Sequence, residues 1–213
     1  MPKLRPLALA AMLALGLGAC AQQAAEAPGD APTAPAAVTE GTWTLDPAAS
    51  KLTYVSIKAG EIAETSRFDR LSGRVAPDGT ASLAIDLASL DTGVALRDER
   101  MREMFFDVAA NPTATVTATL DPKAFAGLAV GQALTRPLKA SVTVKGVTAE
   151  VETEVLVTRV TDDRVTVVPT APVIVSTDMF ELTDELGELR AAAQLPSITP
   201  AVPVSFILAF NRG

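Results

Sequence analysis

Histidine is absent from these 213 residues, and cysteine occurs once, at Cys20. Without an imidazole there is no Ser-His-Asp triad, no imidazole general base and no His-ligated metal or haem. A single thiol forms no internal disulfide, no zinc thiolate cluster and no iron–sulfur site. Positive charge is in deficit, with 18 Lys and Arg against 25 Asp and Glu, for a formal charge of −7. That balance argues against a nucleic-acid partner, because neutralising phosphates takes clustered cations. Aromatic bulk is also scarce: seven Phe, one Trp (Trp43) and one Tyr (Tyr54). What remains is carboxylate or Ser/Thr/Lys chemistry, or binding without chemistry, and no metal or cofactor is expected.

The lone cysteine closes a short apolar segment. Lys3 and Arg5 precede Pro6 to Ala19, an uncharged stretch shorter than the roughly 20 residues a bilayer-spanning helix needs. It ends in Leu17-Gly18-Ala19-Cys20, which resembles the lipobox of bacterial lipoproteins. There a small residue admits the signal peptidase, and the thiol accepts a diacylglycerol. Residues 1–19 therefore read as a lipoprotein signal peptide, with Cys20 as the lipidation site. Residues 20–40 read as an Ala/Pro-rich tether, too poor in apolar periodicity to offset its ordering entropy. Acyl chains contribute about 0.8 kcal/mol per buried methylene, enough for stable anchoring. The expected location is the periplasmic side of the cell envelope. Ala21, in place of Asp, resembles lipoproteins sent on to the outer membrane.

Residues 41–213 are dominated by period-two alternation, which places every second side chain on one strand face. Leu83, Ile85 and Leu87 share such a face, as do Leu138, Ala140, Val142 and Val144. Val147, Ala149, Val151, Thr153, Val155 and Val157 alternate with Thr148, Glu150, Glu152 and Glu154. Lys145-Gly146 between the two runs fits a hairpin turn or glycine bulge. Val202, Val204, Phe206, Leu208 and Phe210 form a last face, and weaker strands are expected at 42–45, 51–58, 66–75, 113–120 and 164–175. Pro169 and Pro172 make part of the last an edge or an irregular crossing. Helical spacing appears in Leu96 to Phe106 and in Asp184 to Leu195, the latter stopped by Pro196. The expected fold is all-β: an antiparallel barrel of about eight strands with two short inserted helices, which are candidate lids over an open end.

Catalytic patterns are sparse. Two-carboxylate chemistry needs an enclosed pair about 5–10 Å apart, whereas the acids here fall on alternating outer faces (Glu150, Glu152, Glu154) or in turns (Asp78, Asp162, Asp163). No Ser-x-x-Lys, Gly-x-Ser-x-Gly elbow or phosphate loop occurs. The densest charge cluster, Arg97-Asp98-Glu99-Arg100-Met101-Arg102-Glu103, admits two readings. It is a solvated helix face with surface pairs, or one or two of its arginines fold back to clamp a polar ligand head or fasten the helix to the barrel rim.

Phe68-Asp69-Arg70-Leu71-Ser72-Gly73, Leu90-Asp91-Thr92-Gly93, Arg97-Asp98-Glu99-Arg100-Met101, Phe105-Phe106-Asp107, Asn111-Pro112, Val144-Lys145-Gly146-Val147-Thr148 and the terminal strand Val202 to Phe210 follow one another along the chain. Together they closely resemble the signature of the YceI-like family. The resemblance spans nearly all of 41–213 in order and spacing. It implies a lipocalin-like barrel with an apolar interior, non-catalytic binding of polyisoprenoids or similar amphiphilic lipids, and export to the periplasm. Two departures stand out. Arg100 and Lys145 occupy places where the family often carries histidine, and with Arg97 they are candidate contacts for a polar head, favouring an anionic or carbonyl-bearing one. The segment Leu182 to Ser197 is also longer than the family's simplest members imply.

Eight-stranded barrels either fill their interior or keep room for one ligand. Here the inward candidates are mostly small or medium, which favours a cavity of roughly 300–1,000 Å³. Alternation names Phe68, Leu83, Ile85, Leu87, Val142, Val144, Val151, Phe206 and Leu208 as its lining, with Met101, Met104 and Phe105 closing one end. Thioethers and aromatics adapt there to chains of varied shape. The leading expectation is a membrane-anchored lipoprotein carrying an apolar or isoprenoid-like lipid. The alternatives are a packed barrel that binds another envelope protein through an exposed apolar patch and a carboxylate hydrolase with two acids converging in a cleft.

Overall fold

The computed structural model describes residues 37–213. The expected signal peptide (1–19), Cys20 and all but the last residues of the 20–40 tether lie outside the described residues. Among the described residues no helix is long and apolar enough to cross a membrane.

The strands are β1 (Trp43–Leu45), β2 (Lys51–Lys58), β3 (Ile62–Phe68), β4 (Leu71–Val75), β5 (Thr80–Asp86), β6 (Leu90–Asp91), β7 (Thr113–Thr119), β8 (Ala133–Val144), β9 (Val147–Arg159), β10 (Arg164–Pro169), β11 (Val173–Ser176) and β12 (Ala201–Arg212). Two helices interrupt them, α1 (Ala95–Arg100), which runs on into a π-turn at Met101–Phe105, and α2 (Thr183–Ala192). The order β1-β4-β5-β7-β8-β9-β10-β12 closes on itself through β1–β12 pairing, with Trp43 opposite Arg212 and Leu45 opposite Phe210. The result is the expected eight-stranded antiparallel barrel with two inserted helices.

The long strand β12 serves two layers. Its C-terminal half pairs with β10 and β1, and its N-terminal half pairs with β11 on one side and β2 on the other. β3 and β6 extend from β2. The barrel wall thus continues past the closed ring as a second, partial wall. α1, the π-turn and α2 lie at that end, with α2 packed on the π-turn.

Local chemistry explains the well-formed parts. β8 and β9 pair along their whole length, and their two-residue connection has Lys145 at φ 47° and Gly146 at φ 82°. Both left-handed conformations match the type I′ turn that suits a twisted hairpin, and glycine adopts the second without strain. Along β9 the outward Glu150, Glu152 and Glu154 are exposed, while Val155 and Val157 are buried. Lys139 of β8 meets Glu150 at 2.8 Å on that outer face, an exposed pair that contributes little.

Three expectations shift. The stretch 66–75 is not one strand: the chain corners at Asp69–Arg70, where Asp69 N–H donates to Ser89 O and Arg70 N–H to Ser89 Oγ. β3 begins at Ile62, after a left-handed pair at Ala59 and Gly60. The stretch 164–175 splits after Pro169, and β11 pairs only with β12, so proline marks the crossing between the two layers. The residues Ala37–Glu40, assigned by sequence to the tether, lie against the barrel: Val38 is buried and its carbonyl accepts from Trp43 Nε1 at 2.9 Å.

Candidate ligand-binding cavity

The barrel interior encloses a cavity of about 650 Å³, within the range of roughly 300–1,000 Å³ for small-molecule sites. The interior is therefore not filled by side chains. The wall carries Phe68 from β3, Leu83 and Ile85 from β5, Val142 and Val144 from β8, and Val151 from β9. Phe206 and Leu208 of β12 complete it. Leu87 also reaches the cavity, from a 3₁₀ turn just past β5 rather than from a strand. Asp86 caps that turn by accepting from Ala88 N–H at 2.9 Å, and Leu87 is 1% exposed.

The helical end is apolar on its inner side. Met101 and Phe105 line the cavity from the π-turn, and Leu186, Leu189 and Ala193 line it from α2 and its end. Phe105 stacks edge-on with Phe106 at 4.9 Å, and Phe106 meets Phe68 at 6.1 Å, joining the lid to the wall. Such aromatic pairs contribute about 0.5–1.5 kcal/mol beyond their burial.

Met104 does not join the lining. An α-helical continuation would put residues 101, 104 and 105 on one face. Phe106 N–H instead donates to Met101 O, an i→i+5 bond that widens the turn. Met101 and Phe105 stay inward, while Met104 packs elsewhere on the core.

Polar groups gather at the helical end. Glu64 accepts from Lys58 Nζ at 2.7 Å and also pairs with Arg97. Lys58 and, secondarily, Arg97 hold its carboxyl below its ordinary value. Arg97 also donates to Thr92, at 3.0 Å to both the hydroxyl and the carbonyl oxygen. Thr92 in turn donates to Asp98 at 2.6 Å, which fixes the start of α1 on β6. Arg100 lines the cavity half-buried. Lys145 does not line it: its ammonium meets Glu185 of α2 at 2.7 Å and holds that carboxyl below its ordinary value. Tyr54 faces the cavity from β2, and burial pushes its phenol above the ordinary 10.

Sequence reasoning missed Tyr54, Lys58, Glu64 and Thr92. Alternation seeks apolar positions, and the inward face of β3 reads Glu64, Ser66, Phe68. Glu64 is the sole carboxylate among the lining residues, so the cavity holds no acid pair. Among the described residues no group of three or more His, Cys, Asp or Glu is placed to hold a metal ion.

A lidded antiparallel barrel with an apolar interior and a polar rim defines the architecture. Residues 43–210 match the YceI-like domain, and the chain belongs to the YceI-like family. It is similar to a polyisoprenoid-binding domain from Saccharophagus degradans implicated in plant cell wall breakdown. That pair shares 36% identity with a TM-score of 0.79, over 82% of this chain and all of the other. BcnA of Burkholderia cenocepacia shares the fold at 23% identity and TM-score 0.60, over 78% of this chain and 98% of that one. No curated protein matches the chain.

Proposed function

We propose that this protein is a non-catalytic carrier of a single-chain apolar lipid of isoprenoid type, held non-covalently inside the barrel. The observation that carries the reading is a cavity of about 650 Å³ whose wall is almost wholly aliphatic and aromatic. At about 25 cal/mol per Å² of apolar surface withdrawn from water, a hydrocarbon tail binds there without any charged contact. The resemblance to a polyisoprenoid-binding domain at 36% identity supports the same ligand class. We further propose that Cys20 carries the acyl anchor and that the stretch between it and Ala37, shorter than the 20–40 tether read from sequence because Ala37–Glu40 lie against the barrel, spaces the barrel from the outer membrane on its periplasmic side. Phe68, Leu83, Ile85, Leu87, Val142, Val144, Val151, Phe206 and Leu208 are then the tail contacts, with Met101 and Phe105 at the lid.

Native mass spectrometry of the full chain recovered from a bacterial envelope, followed by organic extraction, tests the carrier reading. A co-purifying lipid released on denaturation is expected, and an empty protein that also fails to take up added farnesol overturns it. Membrane fractionation of the wild type beside Cys20→Ser tests the anchor, and the variant is expected in the soluble fraction.

A further inference from the structure

The cavity's lining is cationic at one end although the chain as a whole is acidic. Three cations line it, Lys58, Arg97 and Arg100, against the single carboxylate of Glu64. Lys58 and Arg97 share Glu64, and Arg97 is further tied to Thr92. Arg102, two residues beyond Arg100, turns away and donates to Leu90 O at 2.9 Å. Arg100 alone among the three lining cations has neither an ion pair nor a hydrogen bond within the described residues. It sits one turn after Arg97 on the same side of α1, half-buried, with Met101 beside it in the lining.

A guanidinium with an open donor fork, partly withdrawn from water, is matched by an oxyanion. Carboxylate and phosphate oxygens accept two parallel N–H bonds from it, and such charge-assisted bonds are about twice as strong as neutral ones. We propose that Arg100 is the head-group receptor of the cavity and that it selects single-chain amphiphiles ending in an oxyanion, a carboxylate or a phosphate, over neutral ones. The proposal rests on the carrier reading above, since the tail must lie in the barrel for the head to meet Arg100. The Glu64 cluster contributes by occupying the neighbouring cations, so that one site rather than three is open to the head. The apolar remainder of the wall then receives the tail, down to Phe125 and Phe210 at the far end.

Titration calorimetry on the purified full chain with two matched pairs tests this: farnesyl phosphate against farnesol, and palmitate against methyl palmitate. In at least one pair the wild type is expected to bind the oxyanion about tenfold or more tightly, and Arg100→Gln to bring that ratio near one while leaving the neutral ligand within about twofold. Arg100→Lys is expected to recover part of the preference, because a point charge lacks the fork. Preference within the farnesyl pair alone assigns phosphate, and within the palmitate pair alone assigns carboxylate; either carries the proposal. Raising salt from about 50 mM to about 1 M on the wild type is expected to narrow the ratio, and does so without relying on a variant that folds. Equal binding within both pairs, or a ratio unchanged in Arg100→Gln, overturns the head assignment and leaves the carrier reading standing. Failure of all four ligands to bind overturns both.

Discussion

The ammonium of Lys145, at the tip of the β8–β9 hairpin, lies 2.7 Å from the Glu185 carboxylate on α2. Their side chains are 21% and 23% exposed, and 40 residues of chain separate them. The pair fastens the second helix to the rim of the barrel, and its energetic scale is set by that partial burial.

Breaking this latch is expected to change kinetics more than stability. Glu185→Gln should lower the unfolding free energy by about 1 kcal/mol or less, while farnesol dissociates several-fold faster in stopped-flow measurements. Hydrogen exchange along Thr183–Ala192 should accelerate in the same variant. An unchanged dissociation rate would show that the lid is not held by this contact.

Acid is expected to act through several carboxyls held below their ordinary value, among them two glutamates of the helical end. The carboxyls of Glu64 and Glu185 are both held below their ordinary value by lysine partners. A lowered folded-state pKa gives stability that is full above the unfolded value, about 4.3, and lost as pH falls through the folded one. With no histidine in the chain, the melting temperature should be flat between about pH 5.5 and 9 and fall below about pH 4. Glu64→Gln and Glu185→Gln should each flatten that acid limb. A step near pH 6.5 would contradict the assignment.

Filling the cavity is expected to separate binding from folding. Ala140 is buried and lines the cavity midway along β8. Ala140→Phe places a ring in empty space, so the melting temperature should hold or rise, while farnesol affinity falls about tenfold or more. Retained affinity would put the lipid somewhere other than the barrel.

Gly79 offers a backbone test independent of any ligand. Its φ is +90° in the β4–β5 turn, and a Cβ there would sit 2.0 Å from Leu120 O, just past the end of β7. Gly79→Ala should cost about 2–3 kcal/mol in urea unfolding.

Much of the barrel is legible in the sequence because its strands carry one wet and one dry face. Val147 to Val157 alternates so regularly that inside and outside follow directly. β3 is not legible in this way, since its inward positions include Glu64 and Ser66, and polar residues facing a cavity break the rule that apolar means inward. Met104 misleads for a different reason: helical spacing assumes 3.6 residues per turn, and the i→i+5 bond from Phe106 to Met101 is a tertiary choice. The partners of the rim cations are long-range facts. Arg97 reaches Glu64 across 33 residues, and Lys145 reaches Glu185 across 40. A residue type and its spacing name the charge, while topology decides which charge is already spoken for.

The scarcity of aromatic residues has an optical consequence. The single tryptophan, Trp43, lies outside the cavity on the strand that closes the barrel, its ring 4.8 Å from the Arg212 guanidinium and its N–H bound to Val38 O. The single tyrosine, Tyr54, lies inside, on the cavity wall. Indole emission therefore reports the integrity of the closure seam, and phenol emission reports the contents of the barrel. One unmodified sample carries both a folding gauge and an occupancy gauge, separable by wavelength.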